Sequence, residues 1–395
     1  MSDIRSNAQP LPSFTEQIAY VYDDYMDTLG GGERSALAYA LALKTLGFTT
    51  EIVSRRPLPP AEDIRRVFGD EFSDITMRHV KFDALSAYLR SSEPMVFVNH
   101  TYMSFAPNVA KIGIYSQMFP GHSISKQTHP SEWLGLSTYQ LMLSNSTFTK
   151  NYADTYWNFP AAKSFVLHPP IGSESIRTAE SLSKVAPVKK RQFVTVGRFN
   201  PGNHNKNQKL LIESFIAARA QYADLRDWRL ICVGNVNQTP EAIRYFNECQ
   251  ALASRHPGII RIVHDATVGD LGELLTESFG YVHGTGAFIP PGQQPHRCEH
   301  FGLSIVEAMA HGCIPLVYAR GGIFDVLRPG DMGIPYITPE GLIEGFAEIA
   351  AMWDRPTIRT TQLENIKAAI NLGQASFTRK LADYLTLALE GGGSR

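Results

Sequence analysis

Short apolar runs alternate with helically spaced segments through almost the whole of the 395-residue chain, and that alternation is what most restricts its fold. Apolar runs separated by amphipathic helices cannot pair as tight hairpins. They need crossover connections, and those build a mostly parallel sheet. In the first half, strands are expected at 18–22, 50–53, 95–98, 112–115, 141–144 and 164–167, with helices at 33–46 and 147–157. The pattern breaks at His168-Pro169-Pro170-Ile171-Gly172, and a polar, charged connection is expected from there to Lys190. It then restarts, with strands at 193–196, 228–233, 259–263, 279–283 and 314–318 and helices at 207–220, 241–254, 267–278 and 377–389. The length exceeds what one core usually holds, so the expected organisation is two doubly wound Rossmann-like domains. A loose tail occupies 1–17, a first domain 18–168, a second domain 169–373, and a last helix 374–390. Two such domains face each other across a cleft at the carboxyl ends of their strands, where open α/β sheets bind ligands.

Composition excludes several function classes. A formal net charge of −1 gives no electrostatic reason to expect nucleic acid or an anionic membrane as partner. No apolar run approaches the ~18 residues of a membrane span, and no signal segment precedes the first strand. Peripheral membrane contact and the oligomeric state stay open. Cys232, Cys249, Cys298 and Cys313 lack C-x-x-C spacing, which argues against a disulfide framework or a cysteine zinc site and for a reducing, cytoplasmic setting. The closing Gly391-Gly392-Gly393-Ser394-Arg395 reads as a flexible end.

Neither domain carries G-x-G-x-x-G after its first strand, which weakens a dehydrogenase reading. The glycine signal is Gly30-Gly31-Gly32-Glu33, between the first strand and the first helix. There it lets backbone approach a bulky anion near a helix N-terminus. In the second domain, Glu299 lies on a loop after a Gly/Pro-rich stretch (284–294), and Glu307 lies about one turn inside the helix that follows. A phosphate at that helix N-terminus would have an acid on each side of it for sugar hydroxyls. Two glutamates alone read as ordinary surface groups; their company decides otherwise. Arg198 ends the second domain's first strand and Lys206 precedes its first helix, a guanidinium fork and an ammonium suited to a diphosphate.

These residues resemble glycosyltransferase family 4, a group of retaining enzymes with the GT-B fold, in a variant found in bacterial members. The likeness rests on Glu299 to Glu307 with Gly302 between, and on Gly30-Gly31-Gly32-Glu33, Leu143-Ser144-Asn145-Ser146, His168-Pro169-Pro170, Gly197-Arg198 with Lys206, and Gly312-Cys313-Ile314-Pro315 with Gly321-Gly322, all in the family's order. The segment between Arg198 and Lys206 is longer than the commonest family spacing, and Gly202-Asn203-His204-Asn205-Lys206 resembles the bacterial variant. The resemblance implies that Arg198 and Lys206 bind the donor diphosphate, that Glu299 contacts the transferred sugar, and that Glu307 contacts the ribose. The backbone of Phe301, Gly302 and Leu303 would face phosphate or sugar. His100, in Asn99-His100-Thr101, is the match to the family's active-site histidine, and the last helix is expected to cross back onto the first domain.

The implied chemistry is transfer of a hexose-type sugar from a UDP- or GDP-sugar to a hydroxyl on a glycan, glycolipid or small molecule. It would retain configuration and use neither metal nor cofactor, since Arg198, Lys206 and the helix terminus supply the positive field. A sugar phosphorylase, a nucleotide-sugar epimerase or a non-catalytic sugar-nucleotide binder would fit the same residues. The loops after Val233 and Val263 are expected to meet the base, and the segments 102–107 and 118–130 the acceptor. There Tyr102, Phe105, Tyr115 and Phe119 would serve either as sugar platforms or as core.

Overall fold

The computed structural model describes residues 14–157, 159, 163–202, 204–290 and 292–391. Asn203 of the Arg198–Lys206 loop, the first thirteen residues and the last four therefore lie outside the described residues. Two parallel sheets form, each with helices on both faces. The first contains β1 (Ile18–Tyr22), β2 (Thr49–Ser54), β3 (Thr76–His79), β4 (Val96–Asn99), β5 (Ile112–Gln117), β6 (Leu141–Ser144) and β7 (Lys163–Val166), in the order β3-β2-β1-β4-β5-β6-β7. The second contains β8 (Lys190–Val196), β9 (Arg229–Val233), β10 (Ile260–Val263), β11 (Ser278–His283), β12 (Ile314–Tyr318) and β13 (Ile334–Tyr336), in the order β10-β9-β8-β11-β12-β13. Each order reverses once, between β1 and β4 and between β8 and β11. The strand ends flanking those two reversals carry the Gly30 loop, His100 and Arg198, and the chain runs from the end of β11 into the Glu299 loop.

Three local differences from expectation have plain causes. Phe14 is buried and stacks on Phe48 at 4.6 Å, and Thr49 N–H donates to the Gln17 carbonyl, so Phe14 joins the first core and the exposed residues 15–17 are tied to the first domain rather than hanging as a tail. A helix, Ser173–Lys184, occupies much of the expected polar connection. Its Ile176, Ala179 and Leu182 recur every three residues and pack on the second domain. The strand β3 escapes sequence reading because it is a short, largely exposed edge strand without apolar alternation.

The last helix, Gln374–Gly391, packs on the first domain. Phe377, Leu381 and Leu385 sit in the core beneath helix Gly31–Thr45, and Tyr384 stacks on Phe165 at 4.9 Å while donating to the Val166 carbonyl. Among the described residues no helix is long and apolar enough to cross a membrane. All four cysteines are buried and free.

Several contacts tie the two sheets together between the domains. Ser146 Oγ donates to the His300 carbonyl at 2.5 Å. Asp325 accepts from Thr147 N–H at 2.6 Å, at the start of helix Thr147–Trp157, and lies 2.9 Å from His168 Nε2. Phe119 stacks on the His300 ring at 4.2 Å. The landmarks Asn145-Ser146, His168-Pro169-Pro170 and Gly321-Gly322 thus converge on one junction.

Candidate functional site

A cavity of about 1160 Å³ runs between the carboxyl ends of the two sheets, and every site residue expected from the sequence lines it: Gly31, Gly32, His100, Arg198, Lys206, Glu299, Phe301, Gly302, Leu303 and Glu307. Its far end is lined by Gly234, Asn235, Ala266 and Thr267, from the loops after β9 and β10.

Glu299 is the most tightly held of these groups. Its Oε2 accepts from Lys206 Nζ at 2.7 Å and faces His283 Nε2 at 2.8 Å. Burial acts to raise the Glu299 carboxyl, but Lys206, His283 and His204 outweigh it and hold it well below the usual range, so it is a carboxylate at neutral pH. Because a carboxylate only accepts, His283 Nε2 must carry the proton. The Glu299 backbone is fixed as well: Gly322 N–H donates to its carbonyl at 3.0 Å, in a parallel bridge with Gly321. A side chain on Gly322 would run into the His300 carbonyl and Ser146, which explains the Gly-Gly pair. Sequence reading passed over His283. Its position at the carboxyl end of β11, beside the sheet's reversal, was the available signal.

The helix carrying Glu307 spans Leu303–Ala310 and starts at Gly302, whose φ of +95° suits glycine. No side chain caps this end. Its first N–H groups, beside the cavity-lining Gly302, Leu303 and Ser304, are therefore available to an anion. Burial raises the Glu307 carboxyl, and Arg34 from the first domain opposes this only in part. Arg34 is itself held by Glu71 at 2.7 Å.

Arg198 is exposed, and its Nη1 lies 3.5 Å from the Thr28 carbonyl across the cleft. The glycine loop faces it, with the Glu33 carboxylate reaching back to accept from Gly30 N–H at 2.5 Å. His100 is 1% exposed and stands behind that loop. Its Nε2 donates to the Gly32 carbonyl at 2.9 Å, which leaves Nδ1 to accept from Ser116 Oγ at 2.8 Å. Burial lowers its pKa to about 4, so it is neutral at pH 7 and fixes the loop. Of the aromatic candidates, Tyr102 is 40% exposed and lines the cavity, whereas Tyr115 and Phe119 are core. Phe105 packs on Trp157 at 5.8 Å.

The family described as Glycosyl transferases group 1 matches residues 177–356, a little under half of the chain. Among curated relatives, a GDP-Man:Man(3)GlcNAc(2)-PP-Dol alpha-1,2-mannosyltransferase of Kluyveromyces lactis is 27% identical over 197 residues, 49% of this chain and 32% of the relative. Its Neurospora crassa counterpart is 22% identical over 269 residues, 63% of this chain and 45% of the relative. The chain therefore spans 32% and 45% of the length of these two relatives. Among solved structures, a glycosyltransferase from Rickettsia africae superposes with a TM-score of 0.69 at 14% identity, covering 94% of this chain and 99% of that one. Anabaena Alr3699/HepE, solved with UDP and glucose, gives 0.65 at 13% identity over 94% and 100%. With two facing parallel α/β domains and these neighbours, the fold is GT-B, and the part that the group 1 glycosyl transferase family matches spans its second sheet.

Proposed function

We propose that the chain is a retaining, metal-independent glycosyltransferase that moves a hexose-type sugar from a nucleoside-diphosphate sugar to a hydroxyl acceptor in the cytoplasm. The observation that carries this is Glu299, a carboxylate held by Lys206 and His283 next to an uncapped helix N-terminus that lines the same cavity as Arg198. The donor diphosphate sits at the first turn of helix Leu303–Ala310, with Arg198 and Lys206 as its cations. Glu299 takes the sugar hydroxyls, Glu307 the ribose, and the loops after β9 and β10 the base. The acceptor enters from the first domain beside Tyr102, against a glycine loop that His100 holds in place. As the sugar–phosphate bond breaks, negative charge builds on the departing phosphate. The two cations and the helix terminus stabilise it there, and the phosphate takes the acceptor's proton.

GDP-mannose and UDP-glucose are the first donors to try, because the curated relatives are named for GDP-Man and a HepE structure holds UDP-glucose. The experiment is a thermal-shift panel of UDP, GDP, ADP, CDP and dTDP with their sugars, with and without EDTA. A ligand at ~100 times its Kd adds about 2.7 kcal/mol. One responsive base, unaffected by EDTA, is expected, followed by acceptor-dependent turnover that Glu299→Gln abolishes. No response to any nucleotide overturns the assignment. Turnover driven by inorganic phosphate, or donor conversion without acceptor, reassigns the site to a phosphorylase or an epimerase.

A further inference from the structure

The first domain holds a second group of ligating side chains that the cleft does not use. After β5 the chain passes His122, turns at Ser125–Thr128, and enters the helix Pro130–Leu136 with His129 at its N-cap and Glu132 in its first turn. One ligand atom from each of His122, His129 and Glu132 lies within 4.8 Å of the other two. His122 Nε2 is 3.9 Å from Glu132 Oε2, and the two imidazole rings are 5.0 Å apart. None of the three lines the cleft, so donor chemistry does not account for their convergence.

Three features distinguish this from a chance surface cluster. Glu132 Oε2 is itself shielded from solvent and makes no hydrogen bond, although 34% of the Glu132 side chain is exposed, and a carboxylate oxygen so placed is favoured by a facing cation. The His129 Nδ1 atom lies 2.9 Å from Thr128 Oγ1. That occupies one ring nitrogen, fixes the ring and leaves the other nitrogen for a ligand bond, as the outer partners of metal-bound histidines do. The backbone that carries His122 is anchored too: its carbonyl accepts from Trp157 Nε1 at 2.8 Å, and Ile124 N–H donates to the Tyr156 carbonyl at 2.9 Å. Two imidazoles and one carboxylate are the protein ligands of open-sided zinc sites, in which ligand atoms stand about 3.3 Å apart. Side-chain movements of about 1 Å close the present geometry to that value.

We propose that His122, His129 and Glu132 bind a divalent transition-metal ion of the zinc class, outside the donor cleft. The ion ties the segment following β5, which begins with the cleft-lining Met118, to helix Pro130–Leu136. This stands independently of the transferase assignment and gives the ion no part in transfer. Its role is to brace the acceptor-side wall.

The test is direct. The tag-free, metal-stripped 395-residue chain is titrated with Zn²⁺ by calorimetry and with Co²⁺ by visible absorption. One equivalent of Zn²⁺ and the strong absorption bands of four-coordinate Co²⁺ are expected. His129→Ala and Glu132→Gln should each weaken uptake at least tenfold, with unchanged circular dichroism. Absence of stoichiometric uptake up to millimolar Zn²⁺ overturns the proposal. So does equal uptake by a folded His122→Ala/His129→Ala double variant. Either result leaves the three groups as an ordinary His122–Glu132 ion pair with a neighbouring histidine.

Discussion

Gly322→Ala tests whether the junction between the domains sets the position of Glu299. Gly322 is buried, and a Cβ built on it meets Ser146 Oγ at 2.5 Å and Ser146 Cβ at 2.6 Å, with the His300 carbonyl oxygen closer still. Real Cβ atoms essentially never come within 3.0 Å of such neighbours, and one of these is backbone, so the segment from Glu299 to Phe301 has to move. Overpacking of this kind costs about 1–3 kcal/mol, and displacing His300 also breaks its 2.5 Å bond from Ser146, about 1 kcal/mol more. The expected loss is about 2–4 kcal/mol in urea denaturation. Nucleotide binding should weaken as well, although Gly322 itself does not line the cleft. Gly269→Ala is the matched control: it lies in helix Val268–Glu277, its Cβ would meet nothing nearer than 3.8 Å, and the change should stabilise by about 0.4–1 kcal/mol. Wild-type stability and unchanged nucleotide affinity in Gly322→Ala would refute the argument.

Arg198→Ala removes an exposed guanidinium that makes one long internal bond, so stability should hold while nucleoside-diphosphate affinity falls by about 1.5–3 kcal/mol; calorimetry showing equal affinity would move the phosphate elsewhere. Phe14→Ala should cost about 3 kcal/mol by chemical denaturation, because its ring is buried on Phe48; a neutral change would return residues 14–17 to the tail. Burial lowers His100 and His311 to about 4, against about 6.5 when unfolded. The unfolded chain therefore binds more protons between those values, and stability is lost as pH falls from 6.5 toward 4. The slope approaches about 2.7 kcal/mol per pH unit for the two together, and a flat denaturation midpoint from about pH 7 to about pH 5 would contradict it.

The fold was legible because its signal is local and repeated. Parallel strands buried on both faces, such as β5 and β11, leave unbroken apolar runs that periodicity finds within a residue or two. What escaped was either exposed or distant. The strand β3 lacks an apolar face, and helix Ser173–Lys184 follows Pro169, Pro170 and Gly172, whose turn chemistry hides its three-residue spacing. That the ten expected residues line one cleft was readable by type and by their places at strand ends or helix starts. Their partners were not: His283 lies sixteen residues before Glu299, and Asp325 lies 157 residues from His168. Ser146 and Gly322 carry no functional chemistry of their own, and their importance exists only where the two domains touch. The trio His122, His129 and Glu132 was equally invisible, because a loop and a helix start give it no standard ligand spacing.

The way Lys206 meets Glu299 bears on how donor binding and transfer are linked. Lys206 and His283 both reach the same oxygen, Oε2, so in the proposed site Oε1 would be the atom that meets a sugar hydroxyl. An ammonium has three donors, and the one given to Glu299 leaves two for a phosphate. Lys206 therefore need not abandon Glu299 when a diphosphate arrives at helix Leu303–Ala310. In the proposed transferase it would bridge phosphate and carboxylate, fixing the distance between the leaving group and Glu299. The side-chain exposures, 22% for Lys206 and 12% for Glu299, place the pair where water screens it little. Under the proposed function, a cation shared in this way would neutralise both Glu299 in the ground state and the phosphate as it departs, making positioning and charge stabilisation properties of one ion pair rather than of two separate residues.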